Sequence, residues 1–449
     1  MVPHQEHRLK APHPLQKAII RLLPLLALYA TIALLDRQRE FVGDEGAYLR
    51  LATNLTHGYY SPAGEVDLWW GPGYPIVLVP FVLLKTPWAI IKLLNAVLLF
   101  FAVVYFYQTI RFYTSSKYLL AFSYLFGLYP PFVRYVGLMW TEILTVFLIS
   151  AMSYHFCKLA QERNQAKTHS ILAGIFLGYL ALTKVFFGYV ILAGLIIAGL
   201  VYLMNKSQVV KKAILVCAIA LAACLPYLLY TYSLTGKVFY WGNSGGLSLY
   251  WMSTPYPGEY GDWQFIEHVK VNKKSADNHL AFLNELDKLP SVERDDALKK
   301  AAIQNIVHHP VKFVENWFCN IGRLFFDYPY SYAEQTARTY FYLIPNMFIV
   351  VLGTLSIYPA WRRRRTTPEE LHVLLAFAAI AFAGSSFLSA YARQFWVLTP
   401  IIDVFLIAVL VKAVVLVDAP STGLQKAGHP VPLSSLPSEE KAGRAQPVH

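Results

Sequence analysis

The feature that most constrains this chain is a succession of about ten apolar runs, each roughly 15 to 23 residues long, without the alternation of a lipid-facing barrel strand. A hydrocarbon core about 30 Å thick takes about 20 helical residues to cross, and only a helix satisfies such a run's backbone in lipid. The sequence therefore predicts an all-α, polytopic membrane protein. Crossings are expected over 18–35, 88–110, 117–134, 138–157, 169–183, 185–204, 212–232, 340–360, 370–389 and 395–417. Composition agrees, since 56% of the 449 residues are hydrophobic and only 15% are charged, against about 25% charged in soluble domains.

Short basic loops set the expected orientation. Arg8, Lys10 and Lys17 precede the first run, basic turns lie over 158–167 and 206–212, and Arg362 to Arg365 form the strongest cluster. Placing these in the cytoplasm puts both termini there and leaves two large loops outside, 36–87 and 233–338. The apolar stretch Tyr74 to Leu84 is too short to cross, and counting it would move the four arginines outside. It is expected to be a juxtamembrane helix. The resulting organisation is a cytoplasmic segment 1–17, a transmembrane module 18–232 carrying the loop 36–87, an external loop 233–338 with short helices, further crossings over 339–417, and a disordered cytoplasmic tail 418–449. No small-residue cleavage site follows the first run, so it is expected to stay as an anchor.

The net charge of +12 is spread over the loops instead of forming one stripe, which argues against a nucleic-acid partner. Of the four cysteines, Cys157, Cys217, Cys224 and Cys319, only Cys319 is external, so no external disulfide is expected within one chain. There is no CxxC and no Cys/His ligand cluster, so no metal and no cofactor is expected. A divalent ion between Asp44 and Glu142 stays open on ligand count alone.

Charged residues at the outer ends of the runs carry the chemistry. Asp44 and Glu45 follow the first run, where an interface is usually dressed with Lys, Arg, Trp and Tyr, and form a candidate general base. Glu142 opens the fourth run, Lys184 lies between the fifth and sixth, and Arg393 precedes the last. Acids beside cations suit a hydroxyl nucleophile attacking next to a phosphate leaving group, with the cations neutralising the charge that develops. Plainer readings compete. Asp44 and Glu45 could cap a helix running through Tyr48, Leu51 and Leu55. Glu142 could pair with Arg134, and Lys184 and Arg393 could be snorkelling interface cations. Trp69 and Trp70, before the turn Gly71-Pro72-Gly73-Tyr74-Pro75, serve either as interface anchors or as sugar contacts. In the second loop, Val314, Trp317, Phe318, Ile321 and Phe325 form a helical stripe facing either the outer leaflet or a small core. Gly174 and Gly178 form a GxxxG expected to mark helix packing.

In their order along 18–415, these segments resemble the GT-C fold glycosyltransferases that use polyprenyl-phosphate sugars, among them protein O-mannosyltransferases and aminoarabinose transferases. Gly43-Asp44-Glu45 with Tyr48 and Ala52 is similar to the Asp-Glu motif of the family's first external loop. Gly71 to Pro75 resembles its Pro-Pro-Leu-Tyr segment, and Tyr129-Pro130-Pro131 through Thr141-Glu142 its second acidic loop. Ala173-Gly174 through Thr183-Lys184 resembles a glycine-rich helix ending in a base, and Tyr391-Ala392-Arg393 with Pro400 the final Arg-Tyr and Pro pattern. The chain departs from the family at Trp69-Trp70-Gly71, which supplies neither the Glu-Lys of aminoarabinose transferases nor the Trp-Trp-Asp of oligosaccharyltransferases.

The resemblance implies an inverting transfer of a sugar from a polyprenyl-phosphate donor to a hydroxyl of a glycan, lipid or protein acceptor, on the extracytoplasmic face of a bacterial-type inner membrane. Asp44 is then the base, with Glu45 and Glu142 orienting substrate or sharing protons. Arg134, Lys184 and Arg393 are candidates for the donor phosphate, and Tyr48, Trp69, Trp70 and Tyr74 for substrate contact. The alternatives are a lipid-linked glycan flippase or transporter, and a glycan polymerase. Ionisable residues at helix ends instead of mid-membrane depth favour the enzyme over the transporter.

Overall fold

The computed structural model describes residues 14–35, 40–62, 64–161 and 165–413. Expectations for residues 1–13, for Asp36 to Arg39, for 162–164 and for the tail beyond 413 lie outside the described residues. Among the described residues there is no β-strand, and every expected apolar run is helical over most of its described length.

Helix α1 (Pro14–Leu35) leads to α2 (Glu45–Thr56) and α3 (Gly73–Leu83), then to α4 (Trp88–Ile110). Helix α3 has 11 residues, short as expected. The single crossing expected over 117–134 is instead broken into α5 (Leu119–Gly127) and α6 (Pro130–Tyr135). The cause is local: a residue before proline is pushed out of the helical region, and Tyr129 adopts ψ 121° ahead of Pro130 and Pro131. Next come α7 (Thr141–Gln161), α8 (Ala166–Thr183), α9 (Phe186–Asn205) and α10 (Gln208–Thr235). Ser207 caps α10 by accepting from the amides of Val209 and Val210, and Gly236 ends it at φ +67°.

The second loop folds as a helical subdomain: α11 (Gly245–Met252), α12 (Ile266–Val271), α13 (Lys273–Ser275), a π-helical turn (Ala276–Leu280), α14 (Ala281–Leu286), α15 (Ser291–His308) and α16 (Pro310–Phe326). Tyr250, Trp251, Val269, Leu283, Leu286 and Leu298 form its own core. Buried Glu259 accepts hydrogen bonds from Thr254, Asn278, His279 and Tyr332 and ties the subdomain together. The chain then returns through α17 (Arg338–Arg362), α18 (Glu369–Ser386), α19 (Arg393–Trp396) and α20 (Thr399–Ala413).

Among the described residues seven helices, α1, α4, α7, α9, α10, α17 and α18, are long and apolar enough to cross a membrane. The other three expected crossings are the broken α5–α6 pair, the 18-residue α8 and the 15-residue α20. Helix α8 nevertheless runs the length of α7. His169 Nδ1 lies 2.8 Å from His155 Nδ1 towards one end, and Lys184 bonds Glu142 at the other. At the first end Lys212 donates to the carbonyls of Leu159 and Ala160, and Gln161 donates to Glu370 just past the Arg362 to Arg365 turn. The basic cluster and the acid-bearing end are thus opposite ends of the bundle.

The GxxxG does mark packing. A Cβ on Gly174 would come within 2.5 Å of Ile219, and one on Gly178 within 2.8 Å of the Ala220 carbonyl, so only glycine lets α8 and α10 approach this closely. The aromatic stripe of α16 divides. Trp317 donates to Ser386 Oγ at 3.0 Å and Phe325 packs on Phe382 and Phe395, whereas Val314 and Phe318 stay exposed.

Candidate active site

Asp44 stands at the N-cap position of α2, yet its side chain makes no capping hydrogen bond. Its Oδ2 accepts from Arg393 Nη1 at 3.2 Å, and its Oδ1 makes no hydrogen bond among the described residues. The loop is set for this by Gly43 at φ +59°, where a Cβ would sit 2.6 Å from the Trp140 ring. Trp140 Nε1 in turn donates to the Val42 carbonyl at 2.9 Å. Glu45 is placed differently. It is buried, accepting the Val42 amide on Oε2 and the Met139 amide on Oε1, and so fastens the first loop to the turn ahead of α7.

Glu142 is fully buried in the first turn of α7. A lone carboxylate there would be costly, and it is paired with Lys184 Nζ at 2.8 Å and approached by Arg393 Nη1 at 3.5 Å. The expected competitor Arg134 is elsewhere: it donates to the Tyr342 hydroxyl at 3.5 Å and lies over the Phe341 ring. Arg393 itself lies over Trp140, 5.1 Å from the ring centroid, and beside Tyr391. Burial alone would lower its pKa, but Glu142 and Asp44 outweigh burial and raise it, so the guanidinium stays charged. A chain of alternating charge results, Asp44 to Arg393 to Glu142 to Lys184, drawn from four distant parts of the sequence.

This chain borders a cleft of about 720 Å³. Asp44, Lys184 and Arg393 line it, together with Tyr48, Trp69 and Trp70. Tyr74 does not; it is buried behind Tyr48, with ring centroids 5.2 Å apart. Arg134 reaches the cleft only through Tyr342, which does line it. Burial, then the charges of Asp44 and Glu142, raise the Tyr48 hydroxyl well above its ordinary pKa, which keeps it neutral.

The tryptophan-bearing turn is seated by close backbone approach. A Cβ on Gly71 would lie 2.2 Å from the Leu182 carbonyl, and one on Gly73 2.5 Å from Thr183 Oγ1. Tyr179 adds a hydrogen bond to the Gly73 carbonyl at 2.8 Å. The end of α8 therefore positions both Lys184 and the aromatic wall.

Sequence reasoning names none of Trp140, Tyr342 and Asp327 as candidates and gives Tyr391 only as part of a motif, yet all four are on the cleft wall. Tyr391 sits two residues before Arg393, and Trp140 two before Glu142, so adjacency to a candidate could have flagged them. Nothing in the linear sequence marks Asp327, which enters through a left-handed residue ending α16 at φ +56°. Among the described residues no group of three or more His, Cys, Asp or Glu side chains could hold a metal ion. Asp44 and Glu142 instead share Arg393.

No protein-family model matches the sequence, and no curated protein matches it. Solved structures that resemble it include the archaeal oligosaccharyltransferase AglB from Archaeoglobus fulgidus in complex with an inhibitory peptide and a dolichol-phosphate, at 15% identity and a TM-score of 0.48, covering 88% of this chain and 50% of that one. ArnT from Cupriavidus metallidurans bound to undecaprenyl phosphate matches at 11% identity and a TM-score of 0.39, covering 87% of this chain and 76% of that one. The chain spans about half the length of the oligosaccharyltransferase.

Proposed function

We propose that the protein is a membrane glycosyltransferase that moves a sugar from a polyprenyl-phosphate donor to an acceptor hydroxyl, with inversion, on the extracytoplasmic face. The observation that carries this reading is the charge chain Asp44–Arg393–Glu142–Lys184 along an aromatic cleft at one end of a helical bundle. The order of the sequence motifs points the same way.

Asp44 takes the proton of the acceptor hydroxyl through its free carboxylate oxygen while the hydroxyl's own oxygen attacks the anomeric carbon. The bond from that carbon to the phosphate oxygen breaks, and the departing prenyl phosphate carries the added negative charge. Arg393 and Lys184 neutralise it. Glu142 holds both cations in place beside the cleft. Glu45 fixes the loop that carries the base. Tyr48, Trp69 and Trp70 line the sugar's path, and Arg134 orients the Tyr342 hydroxyl on the wall. The prenyl chain stays in the bilayer, beside a site at the membrane surface.

Incubating the purified protein with a radiolabelled prenyl-phosphate sugar and a crude envelope acceptor tests this. Release of prenyl phosphate with label in the acceptor is expected. Movement of the lipid across vesicles without cleavage of the sugar–phosphate bond would instead establish a transporter.

A further inference from the structure

Beside the reaction cleft lies a second, smaller one of about 270 Å³, and the two share a wall one chain thick. Residues 263–265 lead into α12, which starts at Ile266, and the lining alternates along this stretch: Trp263 and Phe265 border the large cleft, Gln264 and Ile266 the small one. The stretch entering α11 divides in the same way. Ser244 and Ser248 border the large cleft, whereas Leu247 and Trp251, four residues apart on one face of α11, line the small one together with Asn243 just ahead of the helix. Trp69 borders both, its ring set edge-on to Trp263 at 5.6 Å.

The small cleft has the chemistry of a sugar site. A pyranose presents a C–H-rich face that packs on an aromatic ring and hydroxyl pairs that planar polar side chains bridge. Trp69 offers the ring. At the rim Arg294 bonds Asp287 at 2.8 Å, and both side chains stay partly open to solvent, leaving donors and acceptors free. Gln264 accepts from Ser275 through Oε1, which leaves its amide hydrogens to donate. On the buried side, Asn243 Oδ1 and Trp251 Nε1 have no hydrogen-bond partner among the described residues. Buried polar groups left unpaired are costly, so a polar occupant reached by a small rearrangement is favoured. Asp295, by contrast, is already engaged by the Gly246 amide and Lys299. The volume falls just under the ~300–1,000 Å³ range of small-molecule sites, which suits one or two sugar units and not a peptide or lipid tail.

We propose that this cleft is a saccharide subsite holding a pyranose of the acceptor glycan while the hydroxyl to be glycosylated lies across Trp69 in the reaction cleft. The acceptor is then a glycan of at least two units. This rests on the transferase reading for the acceptor's role, but the sugar binding itself needs no turnover.

The test is saturation-transfer NMR on the detergent-solubilised full chain with methyl glucoside, mannoside, galactoside and N-acetylglucosaminide and their disaccharides. At least one probe binds the wild type and the Asp44→Asn variant alike. Gln264→Ala and Arg294→Ala, which touch only the small cleft, each weaken it about tenfold, the loss expected for one charged or bridging hydrogen bond. Thermal melts confirm that both variants fold. Absence of binding by every probe, or binding indifferent to both substitutions, overturns the subsite. Displacement of the probe by excess prenyl-phosphate sugar would give the cleft to the donor's glycan and overturn the acceptor assignment; no displacement supports it. Failure of wild-type transfer with probe binding intact sinks the transferase reading, and with it the acceptor's role, while leaving a sugar-binding cleft.

Discussion

Arg393 and Asp44, 349 residues apart in sequence, meet at 3.2 Å on the wall of the large cleft. The same guanidinium nitrogen stands 3.5 Å from Glu142, so one cation is shared by a half-buried carboxylate and a fully buried one. The fully buried partner fixes the arginine, and the arginine aims Asp44.

Asp44→Asn keeps the size of the side chain and removes the proton acceptor. Its transfer rate is expected to fall about 10²- to 10⁴-fold, the range of general-base contributions, with melting unchanged. Undiminished transfer would sink the assignment of Asp44.

Arg393→Lys keeps a cation but not the rigid guanidinium whose Nη1 stands within reach of both carboxylates. Transfer should drop by about tenfold or more, with the larger part in the rate at saturating donor, because leaving-group charge grows in the transition state. A change confined to donor KM would reassign Arg393 to ground-state binding.

Lys184→Gln removes the close partner of a carboxylate that is fully buried. The expected destabilisation is about 3 kcal/mol, the lower part of the range for broken buried pairs, since Arg393 still stands nearby. Adding Glu142→Gln should recover part of the stability and none of the activity. Strict additivity in that double-mutant cycle would show that the pair is not coupled.

Glu259 gives the second loop a pH dependence. Burial alone would raise its carboxyl, but hydrogen bonds and charge from His279, with bonds from Thr254 and Tyr332, hold it at about 2 against an ordinary 4.5. Between those values the unfolded chain binds the proton first, so this stabilisation is full above pH 4.5 and is lost as pH falls towards 2. Melting curves of wild type and Glu259→Gln should therefore converge on acidification from about pH 5 to about pH 3. A gap that stays constant would refute the assignment.

Gly71→Ala places a methyl group 2.2 Å from the Leu182 carbonyl, a backbone atom that cannot turn aside. The Trp69–Trp70 turn must shift, with a cost of about 1–3 kcal/mol and a loss of transfer. Wild-type melting and activity in this variant would mean that the turn is loosely seated.

Much of this was legible because membrane solvation is a strict filter. Lipid forces apolar runs into helices, so each expected run is helical over most of its described length, and the same pressure makes Glu142 and Lys184 conspicuous at run ends. Where a competing local rule acted, the reading slipped: the prolines after Tyr129 split one crossing in two. Asp44 and Glu45 looked equivalent as neighbours in sequence. One turns to the cleft and the other into backbone amides, which depends on Met139 being 94 residues away in sequence and adjacent in space. The alternative of a Glu142–Arg134 pair is not realised: the packed chain pairs Glu142 with Lys184 and Arg393.

The helical class, the positions of the apolar runs and the presence of acids and bases at their ends can be read from the chain alone, because those follow from how each segment meets lipid and water. Folding alone sets which charges share a nitrogen, which aromatic rings line one cleft, and that Trp263 and Phe265 border one cleft while Gln264 and Ile266 border the other. Those depend on contacts between segments hundreds of residues apart, and no local preference along the chain encodes them.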